Sequence, residues 1–353
     1  MARRIFVMNP GSSSMKVALY EDLKPVFTES IRLDAGKLRQ YKRVYDQIEF
    51  RYSLILELAE KMGLDFGTLD AIACRGGFCK PVIAGTYEIN EAMLADLRDA
   101  RWGEHASNVG PFIADRLAKE YGIHAYITNP VSVDEFMPES YVTGMPEVRR
   151  VSKFHALNHK AVARRVALQL GRNYEDCNFI VAHMGGGISI AAHQKGLVID
   201  CSNPAEEGPM SIDRAGTMPV LQFTDYVYKS GLSRDEMILK VSTGGGLMRY
   251  IGETDLIKIE EMAQSDPQVK LLLDTLSYRI AFWISGFAAT LKGQVDAVIL
   301  TGGMARSDVI VPAVRERVSF IAPVVLVPGE FEMDALAEGT FGVLAGTEEN
   351  KVY

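Results

Sequence analysis

The stretch Ile5-Phe6-Val7-Met8-Asn9-Pro10-Gly11-Ser12-Ser13-Ser14-Met15-Lys16-Val17-Ala18-Leu19 decides the fold. Residues 5–8 are an apolar run of strand length. Residues 9–14 are all turn formers, and Met15, Val17 and Leu19 then alternate with Lys16, Ala18 and Tyr20 as a half-buried strand does. The second half repeats this grammar. Phe179-Ile180-Val181-Ala182 runs into His183-Met184-Gly185-Gly186-Gly187, and Ile188-Ser189-Ile190-Ala191 resumes as a strand. A glycine turn between strands exposes N–H groups that can cradle phosphate oxygens. Taken singly, such a turn is ordinarily no more than a hairpin. Two in matching positions point to a duplicated α/β scaffold with phosphate-binding turns.

Working outward, third strands are expected near residues 26–31 and 197–199. Leu54, Leu58 and Met62, spaced by four, predict a helix ended by Gly63. Residues 70–74 read as a buried strand leading into Arg75-Gly76-Gly77. A helix over residues 109–121 precedes a strand over 125–128, broken by Asn129-Pro130. In the second half, helices are expected over 153–170 and 269–291. A strand over 297–300 runs into Thr301-Gly302-Gly303, and a strand over 324–327 precedes a last helix. The expected domains are residues 1–150 and 151–353, with the last helix returning to the first domain. Two facing α/β halves would leave a cleft between them, a preferred place for a ligand.

Composition narrows the function. In 353 residues, 48% are hydrophobic and 24% charged, which fits a globular protein rather than a disordered one. A net charge of −7 argues against nucleic acid or an anionic membrane as partner. Arg149, Arg150, Lys153, Arg164 and Arg165 form a local basic cluster, read as a solvated face. Cys74, Cys79, Cys177 and Cys201 have no C-x-x-C spacing, so neither a zinc site nor a redox motif is indicated. The apolar stretch after Arg3 and Arg4 is too short for an export signal, and a cytoplasmic protein is expected.

No G-x-x-x-x-G-K-[ST] and no G-x-G-x-x-G occurs, which excludes a P-loop and a dinucleotide fingerprint. Four glycine-containing turns remain as phosphate candidates: residues 9–14, 183–187, 244–246 and 302–303. Together with Asn129-Pro-Val-Ser-Val-Asp134, Phe154-His-Ala-Leu-Asn-His159, Asp213-Arg-Ala-Gly216, Arg75-Gly-Gly77 and Thr301-Gly-Gly303, the two hairpins occur in an order that resembles the acetokinase family. That family lies within the acetate and sugar kinase, Hsp70 and actin superfamily. The compact length and the Asn-Pro-Gly turn are most similar to the butyrate kinases. The resemblance implies duplicated ribonuclease-H-like (actin-like ATPase) domains, ATP/ADP and Mg2+ as cofactors, a short-chain carboxylic acid as substrate, and a homo-oligomer.

Phosphoryl transfer to a carboxylate gathers several negative oxygens, and arginine binds such groups through its planar fork. Arg75, after a buried strand, and Arg214, in a glycine-containing loop, are the candidates; for either, a surface ion pair is the competing reading. Asp134 is read as an organiser of metal, water or arginine, with a helix N-cap as the alternative. The resemblance places His155 beside the transferring phosphate, and His183 could serve similarly; His159, His105 and His193 are read as structural. Lys16 and Ser12 belong to the first phosphate turn, Gly185, Gly186 and Gly187 to the second. Gly302 and Gly303 are expected against the adenosine. Asn9 and Glu332 are implied as Mg2+ contacts, with Glu330 competing for that place. Phe78, Val82, Phe136 and Phe154 could form an acyl pocket or simply core. A sugar kinase, a polyphosphate-hydrolysing phosphatase and a nucleotide-dependent binding protein are the rival functions. None of them calls for both arginines as a carboxylate acceptor does.

Overall fold

The computed structural model describes residues 2–353. Contacts divide the chain into two compact units: the residues up to Asp134 with Phe331–Tyr353, and Glu135–Glu330. The division thus falls earlier than residue 150. The reason is local: the Glu135 carboxylate accepts from Lys160 Nζ (2.7 Å) and from the Val198 N–H (2.8 Å), and the Met137 N–H donates to Ile199 O. These bonds commit the chain to the second unit from Glu135 onward.

The strands are β1 (Arg4–Pro10), β2 (Ser14–Glu21), β3 (Lys24–Arg32), β4 (Ala71–Cys74), β5 (Thr86–Glu88) and β6 (His124–Thr128), then β7 (Asn178–Met184), β8 (Ile188–Gln194), β9 (Leu197–Cys201), β10 (Ala297–Gly302), β11 (Val324–Pro328) and β12 (Asn350–Lys351). The first unit holds a sheet ordered β12-β5-β6-β4-β1-β2-β3, the second one ordered β11-β10-β7-β8-β9. Five strands of each follow the same plan. β1, β2 and β3 pair antiparallel, and β1, β4 and β6 pair parallel; β7, β8, β9 and β7, β10, β11 do the same. The duplication is therefore one of topology. β5 and β12 were not expected; at three and two residues they carry no readable periodicity.

Central strands are buried on both faces because helices cover both. In the first unit the helix Val109–Tyr121 and the C-terminal helix Glu332–Ala345 pack on β1, β4 and β6. This corrects the half-buried reading of β2: Ala18, Leu19 and Tyr20 are all buried, and alternation survives only around the exposed Lys16. The helix Ile48–Met62 ends on Gly63 in the left-handed region (φ 63°). Its buried stripe is Arg51, Tyr52, Ile55 and Ala59, with Leu54 and Leu58 flanking it and Met62 exposed.

In the second unit, the helix Ala156–Gln169 packs on β7 and β10, and Pro267–Thr290 on β7 and β8. The first of these starts after the expected Lys153 because His155 holds a non-helical ψ of 58°. Within Pro267–Thr290, Ile280, Ile284 and Phe287 are core, while Tyr278 and Phe282 are exposed. The basic cluster is not uniformly a solvated face. Arg150 is tied inward to Asp200 (2.9 Å) and Glu207 (2.9 Å) and to the carbonyls of Ser140 and Cys201. The four cysteines are buried free thiols. Among the described residues, no helix is long and apolar enough to cross a membrane.

Candidate active site

In open α/β sheets ligands collect outside the carboxyl ends of the strands. In the first unit, β1 and β4 run parallel with Met8 beside Cys74, so Asn9 and Arg75 leave the sheet as neighbours. Glu332, 4% exposed at the start of the C-terminal helix, joins them. Its Oε2 accepts from Asn9 Nδ2 (2.7 Å) and from Arg75 Nη1 (2.9 Å). Arg75 is thus in an ion pair, but a largely buried one rather than a surface pair. The glycines after it have steric cause: a Cβ on Gly76 would stand 2.9 Å from Ile127 Cδ1, and one on Gly77 would collide with Asn108.

The β1–β2 turn itself is closed by the Gly11 N–H donating to Ser14 O (2.8 Å), with Ser12 exposed at its tip and Lys16 exposed on β2. Arg51 lies beneath it. Its side chain is 1% exposed, donates Nη1 to Gly11 O (2.9 Å), and gives Nε and Nη2 to Gln47 Oε1. Burial lowers its pKa to about 10, with no carboxylate among the causes.

Asp134 is half-buried, and its N–H donates to Val82 O (2.8 Å). The helix-cap alternative falls away, because no helix starts there; the next element is the short 3-10 turn Pro138–Tyr141. Glu330 and Glu332 separate cleanly. Glu330 is 4.0 Å from His183 Nε2 within the second unit, whereas Glu332 sits with Asn9. Among the described residues no group of three His, Cys, Asp or Glu could hold a metal. The oxygens of Glu332 and Asn9 nevertheless fit Mg2+, which takes few protein ligands and fills its shell with phosphate and water. Of the proposed acyl-pocket residues, Val82, Phe136 and Phe154 are core, and Phe78 stacks on His105.

The equivalent place in the second unit is the end of β7 and β10, where His183 lies beside Thr301. Asn158 Nδ2 donates to His183 Nδ1 (2.9 Å) and to Thr301 Oγ1 (3.2 Å), and Thr301 Oγ1 donates to Gly329 O (3.1 Å). His155, at the N-cap rather than within the helix, stacks on His183 with ring centroids 4.0 Å apart. His155 and His159 both bond Ser189 Oγ, at 2.7 and 2.9 Å. His159 and His193 are fully buried, and burial pushes both pKa values well down, so both are neutral at pH 7. His105 is a cap, its Nδ1 accepting from the Ser107 N–H.

Arg214 stands over the β7–β8 turn. A Cβ on Gly187 would be 2.6 Å from Arg214 Cζ, so only glycine lets the guanidinium lie there. Its Nε is buried without a hydrogen-bond acceptor, and Asp213 Oδ1, 3.8 Å away, is likewise unbonded. Burial lowers the Arg214 pKa and raises that of Asp213, each opposed by the other's charge. The glycine segment 244–246 packs against the Asp213–Arg214 loop. The N–H groups of Gly245, Leu247 and Met248 are used on the carbonyls of Asp213, Ser211 and Ile212, so this segment holds the Arg214 loop.

Gly302 has φ 87°, and a Cβ there would be 2.5 Å from Met184 O. Gly186 and Gly303 face open space and, with Gly185, line a cavity of about 490 Å³. Its apolar walls include Ile212, Leu256 and Met304, and Asp213, Glu260 and Arg306 supply polar groups. Sequence reasoning missed these residues, and also Asn158, Ser189 and Tyr174. Asp213 and Asn158 carried a sequence signal, since they fall inside Asp213-Arg-Ala-Gly216 and Phe154-His-Ala-Leu-Asn-His159.

The two sheets of one strand plan define an α/β fold of the actin-like ATPase type. A model of the acetokinase family matches residues 131–322, and the chain belongs to that family. The fold is similar to that of Porphyromonas gingivalis acetate kinase, with a TM-score of 0.79 at 20% identity over 97% of this chain and 100% of that one. A propionate kinase from Francisella tularensis subsp. tularensis SCHU S4 gives a TM-score of 0.77 at 18% identity, over 96% of this chain and 98% of that one. Acetate kinase from Entamoeba histolytica gives 0.75 at 15%, again over 96% and 98%.

Proposed function

We propose that this chain transfers the terminal phosphoryl group of ATP, reversibly and in line, to the carboxylate of a short-chain fatty acid, butyrate or a branched analogue. The observation that carries this reading is the buried, acceptor-less Nε of Arg214 beside a glycine turn. An unmet guanidinium donor at a family strand end is suited to an anion that arrives with the substrate. Family membership supports a carboxylate as acceptor. A carboxylate oxygen forms the new bond to phosphorus, and the bond to the ADP oxygen breaks with its electrons going to ADP. The acid is ionised at neutral pH, so no base is needed to start.

In this reading Arg75 and Arg214 neutralise the acceptor and the transferring phosphoryl, and His155 and His183 donate hydrogen bonds to it. Asp134 orients arginine or water. Ser12, Lys16 and glycines 185–187 hold phosphate oxygens, and Gly303 borders the adenosine in the 490 Å³ cavity with Gly302 next to it in the chain. Asn9 and Glu332 would hold Mg2+, which when bound neutralises phosphate charge.

Acetate or propionate is the alternative acceptor, favoured by the acetate and propionate kinases that share the fold. One methylene in an apolar pocket discriminates by only about 1–3 kcal/mol, so neighbouring acids should all react at some rate. The test is a hydroxamate trap of acyl phosphate with ATP, Mg2+ and straight and branched acids of two to six carbons. Highest kcat/KM for a four-carbon acid is expected. A preference for acetate would transfer the proposal to the alternative, and no hydroxamate from any acid would end it.

A further inference from the structure

Behind His155 runs an unbroken file of buried polar groups. His155 Nδ1 bonds Ser189 Oγ (2.7 Å), which bonds His159 Nε2 (2.9 Å). His159 Nδ1 bonds His193 Nε2 (3.3 Å), and His193 Nδ1 bonds the Tyr174 hydroxyl (2.7 Å). Ser189, His159 and His193 have no exposed surface, and Tyr174 is 4% exposed. Each link requires one donor and one acceptor, and a neutral imidazole has one of each. A third arrangement, in which both imidazoles donate to Ser189 Oγ, would leave the buried Ser189 O–H without an acceptor, so the file has two consistent settings. Either every imidazole carries its proton on Nε2 and the donation runs from Tyr174 toward His155, or every one carries it on Nδ1 and the donation runs the other way.

The buried end decides between them. Among the described residues the Tyr174 hydroxyl has one hydrogen-bond partner, His193 Nδ1. Were His193 to donate to it, the phenolic O–H would be a buried donor with no acceptor. An orphaned buried donor is costly enough to hold that setting to roughly a tenth of molecules or fewer. With Tyr174 donating, every hydrogen of the file except that on His155 Nε2 has an acceptor within it. The depressed pKa values of His159 and His193 agree with neutral rings throughout.

We infer that Tyr174, acting through His193, His159 and Ser189, is a positioning residue that fixes His155 as the tautomer bearing its proton on Nε2. His155 then presents an N–H on the side away from Ser189, suited to donate to an anion rather than to accept a proton. The stacked neighbour reaches the same state by a separate route. Thr301 donates to a carbonyl and so must accept from Asn158, whose amide N then also donates to His183 Nδ1. Both stacked rings present Nε2–H. The tautomer assignment is independent of the proposed reaction; its effect on rate rests on that reading.

The test uses the intact protein labelled with 15N in its histidines. Proton-coupled 15N spectra at neutral pH are expected to show His155, His159 and His193 all protonated on Nε2. Any of the three protonated on Nδ1 overturns the inference, without need of a variant. In Tyr174→Phe either setting leaves one His193 atom unbonded, so the bias is lost. His155 should then show comparable populations of both tautomers, and kcat for acyl phosphate formation should fall roughly twofold with both KM values unchanged. An unchanged His155 tautomer in the folded variant would overturn it. Absence of acyl phosphate from the parent protein would instead remove the proposed function and leave the spectra as the test.

Discussion

The ends of β1 and β4 and the ends of β7 and β10 are equivalent places in two sheets of one plan, yet their electrostatics are opposite. At the first, Arg75 donates to Glu332, Asn9 donates to the same oxygen, and the charges neutralise one another. At the second, Arg214 has a buried Nε with no acceptor, and its carboxylate neighbour stands too far away for a hydrogen bond. Duplicated topology thus fixes where the candidate side chains emerge, and local partners decide whether each has its donors met.

The sharpest way to break this contrast is to remove each arginine in turn. Arg75→Ala and Arg214→Ala should each lower kcat by roughly 10²- to 10³-fold or more, as expected when a donor to a developing anion is lost. Their stabilities should diverge. Arg75→Ala strands the buried Glu332 carboxylate and should cost about 2–4 kcal/mol in urea unfolding. Arg214→Ala removes a charge whose desolvation Asp213 offsets only in part and without a hydrogen bond, and should leave stability unchanged or raise it. Equal destabilisation by the two would erase the distinction.

How much of this was legible follows from range. The hairpins, Gly63 and the helix Val109–Tyr121 were readable because turn formers and periodicity act over a few residues. Arg75 and Glu332 were each singled out, but their pairing joins residues 257 apart in the chain and has no local signature. The packing role of glycines 244–246 was hidden for the same reason. Their close approach to the Asp213–Arg214 loop is tertiary, and a glycine needed for packing reads like one needed for phosphate. β2 was judged half-buried because alternation was counted without knowing that helices cover both faces. His155 and His159, four residues apart, both turn to Ser189, one from the cap and one from the first turn of the helix.

A second contrast concerns acid. His159 and His193 have folded pKa values well below the ordinary 6.5, because burial disfavours their charged forms. The unfolded chain therefore binds more protons than the folded one below about pH 6.5, and stability must fall as pH drops from there toward the depressed folded values. The loss approaches about 1.4 kcal/mol per pH unit for each histidine. Urea midpoints measured between pH 7.5 and 5.5 should show it. Amide exchange, corrected for its intrinsic pH dependence, should show β7 and β8 losing protection over that range before β1 and β2. A flat profile, or loss beginning in β1 and β2, would contradict the assignment of neutral buried rings to the second unit.

The smallest effect tests whether the first turn has its own uncompensated charge. Arg51 is almost wholly buried, bonds only Gln47 and Gly11 O, and has no carboxylate facing it. A buried guanidinium without a counter-ion is a net cost to folding unless an anion approaches in the functional state. Such a charge acting through an effective dielectric of about 20 across roughly 8–10 Å would favour a phosphate at the turn by about 1–2 kcal/mol. The double variant Gln47→Leu, Arg51→Met removes the charge together with its amide partner and keeps similar bulk. Its urea midpoint should equal or exceed that of the parent, while ADP affinity by titration calorimetry should fall roughly 5- to 30-fold, and less at high salt. A residue that only supports the turn would give the reverse, lower stability with affinity kept. That outcome would make Arg214 the one uncompensated arginine among these three, and so sharpen the difference between the two strand ends.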